Sequence, residues 1–333
     1  MFTRRSKFEY IIYVRNILKG YFAMLENEYQ PNIEETEVCP KRSKTIKIYA
    51  VAAVAAAIVA VLLRTVCLFY FYDMEIGYHS EGFVTSLYKV FCLLSALFFA
   101  SAVVFVKRNT ATPDGKTSGF SVKLGSAAAM LAFAAYFSIL VFSADMVSTS
   151  GALDLLSKIT ALMGIVYFAI AVFAPDTNKN IRALLGFGVI IWCIYVLGVT
   201  YFDIFVQLNS PDKVTLHLAL ISMMVFIVCE LRCFVLEIKK GFSLFSACCA
   251  TFFCSLSSVP SFLFGASIGE MNKYYTYDIV IFAVGFYALG RLISFAFFNP
   301  IRVEETAIAE PCAEIENAEA PDASSETEKE SDV

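Results

Sequence analysis

Charged residues are scarce in this chain, and the scarcity excludes several classes of protein. Of the 333 residues only 17% are charged, whereas soluble domains have roughly a quarter. A water-soluble globular protein is therefore not expected. The net charge of −4 averages a basic N-terminus, a neutral middle and an acidic tail. Because no basic groove or folded basic domain is present in the sequence pattern, nucleic acid is not expected as a partner.

The ten cysteines are absent from the connections that would face an oxidising compartment, which argues against a disulfide framework. Cys39 and Cys312 fall in regions predicted to be cytoplasmic, and the others lie in or at the ends of apolar segments. Cys229 and Cys233 are four residues apart on one helix face, which is a metal-ligand spacing. No third ligand accompanies them, so packing is the favoured interpretation. We predict no metal ion and no cofactor.

Apolar residues make up 58% of the chain, and they are gathered in eight segments long enough to cross about 30 Å of hydrocarbon. These segments are 48–70, 84–106, 125–143, 157–174, 183–202, 215–236, 244–264 and 278–298. Backbone groups in lipid must bond internally, so each segment is predicted to be a helix. The predicted fold class is all-α, a polytopic transmembrane helix bundle with eight spans in one domain, 48–298, embedded in a lipid bilayer.

The positions of Lys and Arg indicate the orientation of the bundle. The connections after spans two, four and six hold two to four such residues each, and the other connections hold at most one. The positive-inside rule then places these three connections and both termini in the cytoplasm. We expect a multi-pass protein of the plasma membrane, or of the inner membrane in a bacterium.

Two polar regions flank the spans. Residues 1–47 carry nine Lys or Arg, and 8–25 are predicted to form a basic amphipathic helix. This helix either lies on an anionic membrane surface or packs on the cytoplasmic end of the bundle. Residues 299–333 are acidic and too polar to fold alone, so they are predicted to be a disordered cytoplasmic tail. The tail either docks a protein partner or is solvated without one.

A weak internal repeat is visible. The tripeptide Gly-Phe-Ser opens span three at Gly119 and span seven at Gly241. The same offset overlays spans three and four on seven and eight, but spans one and two match five and six only after shifts of about ten residues. A four-plus-four repeat is a plan found in transporters, although unrelated apolar helices also resemble one another.

Five charged residues lie inside the predicted spans, where charges are costly and usually face protein or a water-filled cavity. Glu230 and Arg291 lie at similar depth in spans six and eight, so we predict an ion pair between them, with a structural role or a role in transport or proton relay. Arg232 points elsewhere and is expected to snorkel to the headgroups. Arg64 and Lys89, near the outer boundary, either receive an anionic solute or lipid headgroup or snorkel.

Span seven contains a candidate cavity wall formed by Ser257, Ser258, Pro260 and Ser261. Proline removes a helix hydrogen bond, and such breaks persist in membranes where hydroxyls, water or neighbouring helices satisfy the freed carbonyls. The break therefore either exposes polar groups to a solute or forms a packed kink without a ligand.

A catalytic interpretation of the sequence is weak. Residues 265–269 fit the pattern G-x-S-x-G around Ser267, and His79 and His217 are predicted on the same outer side. A nucleophile elbow needs a strand–turn–helix setting, which this chain lacks. We assign no catalytic residues and do not expect an enzyme.

The sequence leaves three function classes open, of which the third, an intramembrane enzyme, lacks a convincing set of catalytic residues. The favoured one is a transporter or permease for a small solute, based on the broken span seven and the buried charges. The alternative is a non-catalytic membrane scaffold or sensor that holds cytoplasmic partners through the N-terminal helix and the acidic tail. A solvent-reachable cavity near Pro260 would favour the transporter, and tight packing of spans six to eight would favour the scaffold.

Overall fold

The structure is a computed structural model that describes residues 41–73, 78–80, 82–106, 119–142, 151–174, 177–203, 210–235, 240–268 and 275–298. The chain divides into two units between Arg42 and Ser43, and the helix bundle belongs to the second. The predicted amphipathic helix 8–25 and the acidic tail 299–333 lie outside the described residues, so those two interpretations stay predictions.

Within the described residues, eight helices are long and apolar enough to cross a membrane. They are α1 Lys41–Tyr70, α2 Phe83–Phe105, α3 Phe120–Phe142, α4 Gly151–Phe173, α5 Lys179–Tyr201, α6 Pro211–Val235, α7 Lys240–Ile268 and α8 Tyr275–Ile293. The all-α polytopic bundle is thus confirmed, and the chain is a multi-pass membrane protein. Several helices begin before the predicted spans, because hydrophobicity marks the lipid boundary and not the end of helical hydrogen bonding.

We name the two ends of the bundle after the helix ends that lie there. The termini end is the end at which α1 begins and α8 ends, and the far end is the opposite one. At the far end a short antiparallel hairpin follows α1, formed by β1 Tyr72–Asp73 and β2 Tyr78–His79. Strands of two residues are too short to produce an alternating pattern, so the sequence did not predict them.

Six of the helices close into a cycle. Each helix from α3 to α8 packs against the next one in sequence, α8 packs back on α3, and α6 also touches α8. Helix α2 packs chiefly on α7, and the hydroxyl of Tyr49 on α1 lies 2.6 Å from Ser101 Oγ on α2. Helices α1 and α2 therefore stand beside the cycle, whereas α5 and α6 are members of it. The packing does not reproduce the four-plus-four repeat.

Burial differs strongly between these helices. In α6, α7 and α8 between 61% and 67% of the membrane-spanning residues are buried, against 28% in α1 and 22% in α2. The central helices α6 to α8 are also the ones that carry Glu230, Pro260 and Arg291. Glu230, Pro260 and Arg291 are thus surrounded mainly by protein.

Aromatic rings fill the middle of the cycle. Phe133 on α3 stacks on Phe168 of α4 with ring centroids 5.8 Å apart, and it meets the edge of Trp192 on α5 at 5.3 Å. Tyr136 and Tyr277 continue this packing from α3 to α8 at 5.8 Å. These contacts hold α3, α4, α5 and α8 at fixed separations. The clusters of polar side chains described below lie toward the ends of the central helices.

Helices α3 and α8 approach each other closely at two glycines. A Cβ added at Gly125 would lie 2.7 Å from the Cα of Tyr287, and one added at Gly290 would lie 2.5 Å from the carbonyl oxygen of Ser121. Ser121 Oγ donates to the carbonyl oxygen of Gly290 at 3.1 Å. Small residues of this kind let helix backbones approach in membranes. The close contact also fixes the position of Tyr287, which belongs to the site described below.

Substitution of Gly125 by alanine tests this contact. We expect Gly125→Ala to lower the stability by roughly 1–3 kcal/mol, as overpacking does, because backbone atoms of α8 stand in the way. The matched control is Gly198→Ala in α5, where an added Cβ meets nothing within 4 Å. That variant should be neutral or slightly stabilised, since alanine favours helix. Thermal unfolding of the detergent-solubilised variants measures both, and equal effects would contradict the close approach.

Candidate functional site

Two clusters of charged and polar side chains lie at opposite ends of the central helices. The first, called the termini-end cluster, contains Glu230, Arg291, Tyr287 and Tyr167. The second, called the far-end cluster, contains Arg64, Asp212 and Asp278.

Glu230 on α6 and Arg291 on α8 form the ion pair that their similar depth predicts. Arg291 Nε lies 3.1 Å from Glu230 Oε1. The side chain of Glu230 is 1% exposed, and that of Arg291 is 16% exposed. The hydroxyl of Tyr287 donates to the same Glu230 oxygen. Residues four apart share one face of a helix, so Tyr287 and Arg291 reach Glu230 from adjacent turns of α8.

The second oxygen of Glu230 has no donor among the described residues. Oε2 is buried and has no hydrogen-bond partner among the residues that the structure describes. A carboxylate has about four acceptor positions on its two oxygens, and a buried polar group left unpaired costs about 1–3 kcal/mol, with more for a charged group. The carboxylate of Glu230 therefore retains the capacity to accept a further hydrogen bond.

Tyr167 on α4 and Arg182 on α5 complete the surroundings of this pair. Both are buried, and both interact electrostatically with Tyr287. Within the described ranges, the hydroxyl of Tyr167 has no hydrogen-bond partner. The sequence analysis missed them because it assigned Arg182 to the fourth connection, and because Tyr167 resembles the other aromatic residues of an apolar span.

A pocket with about 500 Å³ of space, part of it open to the exterior, lies beside the ion pair. It is formed by α6, α7, α8 and the π-helical turn Ser294–Phe298 that follows α8. Glu230 and Arg291 are part of its lining, together with Phe226, Cys233, Ser243, Leu244, Ser294 and Phe295. Small-molecule sites have this character, with mostly apolar walls and a few polar groups. Because α7 begins and α8 ends here, the pocket lies at the termini end.

Arg64 corrects the sequence-based expectation for the far end. It was expected to receive a solute or headgroup or to snorkel, but its side chain is 1% exposed and Nη2 lies 2.9 Å from Asp212 Oδ1. Nη1 donates to the carbonyl oxygens of Leu256 and, at 2.9 Å, Ser257 on α7. The expectation was wrong because span six was predicted to begin at 215, which left Asp212 outside the bundle.

One of the two carbonyls that Arg64 binds is the carbonyl that Pro260 leaves without a helical donor. Pro260 has no N–H, so the carbonyl of Leu256, four residues earlier, lacks its helical donor. Arg64 supplies that donor, and Ser261 Oγ donates to the carbonyl of Ser257 at 2.8 Å. The freed carbonyl of Leu256 thus binds a protein group and does not face a solute.

The remaining members of the predicted cavity wall are also packed. Ser257, Ser258 and Pro260 are buried, and Ser258 Oγ donates to the carbonyl of Cys254 at 2.6 Å. The predicted wall is therefore packed against protein, and the pocket described above lies near the other end of α7. The sequence shows which carbonyls a proline frees, but it does not show which donor takes them.

The hairpin covers the far-end cluster. Tyr72 hydrogen-bonds to Asp212, and burial together with the charge of Asp212 raises the pKa of Tyr72 to about 12. Burial also lowers the pKa of His79. Asp278, in the first turn of α8, is buried and interacts electrostatically with Arg64 and Asp212. Both aspartates were missed because they stand at span boundaries, where charge is ordinary.

The other predicted residues lie apart from these clusters. Arg232 and Lys89 are exposed, as expected for charges that reach the headgroups. Ser267 is exposed and donates to the carbonyl of Phe264. His217 Nε2 lies 3.0 Å from Thr200 Oγ1. Ser267 and His217 thus each contact other groups, and this arrangement gives no support to a hydrolase.

Comparisons of the chain with protein-family models, curated proteins and solved structures find no match. In the part of the chain that the structure describes, no group of three or more His, Cys, Asp or Glu side chains could hold a metal ion. The function therefore has to follow from the two clusters and the pocket.

The role of Arg64 can be tested through the proline. Arg64→Met should destabilise the protein, by roughly 1–3 kcal/mol for each buried carbonyl left without a donor. In a Pro260→Ala background the loss should be smaller, because the introduced alanine would supply the N–H that the carbonyl of Leu256 lacks. Thermal unfolding of the wild type, both single variants and the double variant measures this coupling. Equal losses in the two backgrounds would show that Arg64 does not cap the kink.

The ion pair can be tested by a double-mutant cycle of its own. Glu230→Gln and Arg291→Gln should each destabilise the protein by up to roughly 3–5 kcal/mol, because each leaves a buried partner without its counter-charge. The double variant should recover part of the loss in thermal unfolding. Arg232→Gln is the control, since Arg232 is exposed two residues from Glu230, and it should change little. Simple addition of the two losses would mean that the side chains do not interact.

Proposed function

We propose that the protein is a transporter for a small solute, which binds in the pocket between α6, α7 and α8. The observation that supports this most is the lining of that pocket. It combines the carboxylate of Glu230, whose Oε2 has no donor among the described residues, with the partly exposed guanidinium of Arg291, in otherwise mostly apolar walls. Ionisable groups inside a membrane are expensive and usually functional. A purely structural pair would gain from having both carboxylate oxygens bonded.

The contrast between the two ends supports the same proposal. The pocket is open at the termini end, while at the far end Arg64 joins α1 to α6 and α7 and the hairpin covers the contact. Transport by alternating access requires a site that is reachable from one side at a time. With the termini in the cytoplasm, as the positions of Lys and Arg predict, this arrangement corresponds to an inward-facing state.

The scaffold or sensor remains the alternative. Its two proposed contact regions, 1–47 and the acidic tail 299–333, are almost wholly outside the described residues. The tight packing around Pro260 agrees with it, as the sequence analysis anticipated. The pocket at the other end of α7 favours the transporter, because a scaffold needs no solvent-reachable cavity beside an intramembrane ion pair.

Cys233 offers a direct test, since it lines the pocket. In a variant that keeps Cys233 as its only cysteine, a membrane-impermeant thiol reagent should react in inverted vesicles and not in intact cells. A solute that occupies the pocket should slow this reaction and raise the melting temperature. The matched control keeps only Cys229, which lies one turn earlier and is 1% exposed, and it should react slowly from either side.

The outcome that contradicts the transporter is also defined. A screen would cover amino acids, amines, carboxylic acids, sugars and nucleosides, with protection of Cys233 as the readout. If Cys233 reacts but no class of solute protects it, and proteoliposomes take up none of them, the pocket is not a solute site and the scaffold becomes the better interpretation.

A further inference from the structure

We propose that the solute is a small zwitterion of the α-amino acid type, with its ammonium group on Glu230 and its carboxylate on Arg291. This inference rests on the proposed function and names the substrate class of the same pocket. It follows from the contact between the two side chains and from the Glu230 oxygen that has no partner among the described residues.

Glu230 offers an acceptor for a cationic donor. Its Oε1 already receives the Nε of Arg291 and the hydroxyl of Tyr287. Its Oε2 is buried and has no partner among the described residues. The strongest hydrogen bonds to a carboxylate come from charged donors, so an ammonium group fits this oxygen better than a neutral hydroxyl does.

Arg291 offers donors for an anion. A guanidinium carries five N–H groups, and the contact with Glu230 is made through Nε. The side chain keeps 16% exposure, and the residue lines the pocket. Arginine binds carboxylates through two parallel hydrogen bonds, and in our proposal the two Nη groups supply them.

The combination selects against ions of a single sign. A simple amine that approaches Glu230 also meets the positive charge of Arg291, and a simple carboxylate that approaches Arg291 meets the negative charge of Glu230. A zwitterion presents the complementary charge to each, and adds no net charge to a site within the membrane domain. Discrimination by repulsion of the wrong ligand is a general source of specificity.

The walls limit the rest of the molecule. Phe226, Leu244 and Phe295 provide apolar surface, and the whole space is about 500 Å³ with part of it open. The enclosed part of this space is only about 40 Å³, so the solute has to be small, and a longer side chain has to extend into the open part. The ring of Phe226 or Phe295 can cover an apolar side chain there.

The experiment uses the purified full chain with Cys233 as its only cysteine. The standard L-amino acids are tested for protection of Cys233 and for a rise in melting temperature. For the amino acid that protects best, the amine without its carboxylate and the acid without its amino group are then compared. We expect both analogues to bind at least about tenfold more weakly, because each lacks a charge-assisted hydrogen bond.

A charge substitution changes the relative affinities for two ligands, which a loss of stability alone would not do. In Glu230→Gln the affinity for the amino acid should fall, while the deaminated acid should bind more tightly than it does to the wild type, since the repelling carboxylate is gone. Arg232→Gln, the exposed control on the same helix, should leave both affinities unchanged. Where Glu230→Gln does not fold, the ligand series on the wild-type chain decides.

The outcomes separate this inference from the proposed function. If no amino acid protects Cys233 but a sugar, nucleoside or other solute does, the zwitterion is wrong and the transporter stands. An amine or acid that binds as tightly as its parent amino acid also overturns the inference, because one of the two charges then plays no part. If no solute of any class protects Cys233, both proposals fail and Glu230 Oε2 is satisfied by water.

Discussion

A carboxylate buried among membrane helices cannot stand alone, and the position of Glu230 sets much of what surrounds it. Its charge requires the guanidinium of Arg291 on α8. Tyr287, which donates to the same oxygen, is fixed by the glycine contact between α3 and α8. The central helices are thus arranged by one electrostatic requirement as well as by packing. Burial of an ion pair rarely stabilises a protein more than apolar packing would, and the proposed transporter gives this pair a role in binding.

Helix α7 links the two ends of the molecule. Near its start it provides one wall of the pocket, through Ser243 and Leu244. Further along, Pro260 leaves the carbonyl of Leu256 without a helical donor, and Arg64 from α1 binds this carbonyl and that of Ser257. Any movement that opens the far end must therefore either carry α1 and this half of α7 together or replace the hydrogen bonds of Arg64. A single side chain couples an outer helix to the centre of the bundle.

The sequence predicts the helices well because the period and length of apolar segments are imposed directly by lipid. It also predicts the pairing of Glu230 with Arg291, since helix geometry converts position in a span into depth. It does not predict the partner of Arg64, because Asp212 stands at a span boundary where a charge has no cost. The same reason hides Asp278, and a buried Arg182 is indistinguishable from a loop residue when only local sequence is read. Contacts between distant helices decide these cases.

The capping of the proline kink has a consequence for the evolution of this chain. Pro260 leaves a carbonyl without a donor, and Arg64, nearly two hundred positions earlier, supplies one. A descendant that replaced the proline would still carry a buried arginine, now with less to bind. A descendant that lost the arginine first would leave the carbonyl of Leu256 without a hydrogen-bond donor. Neither step is neutral by itself, so the two positions should change together, and their joint substitution pattern would record the contact even where the rest of the sequence has diverged.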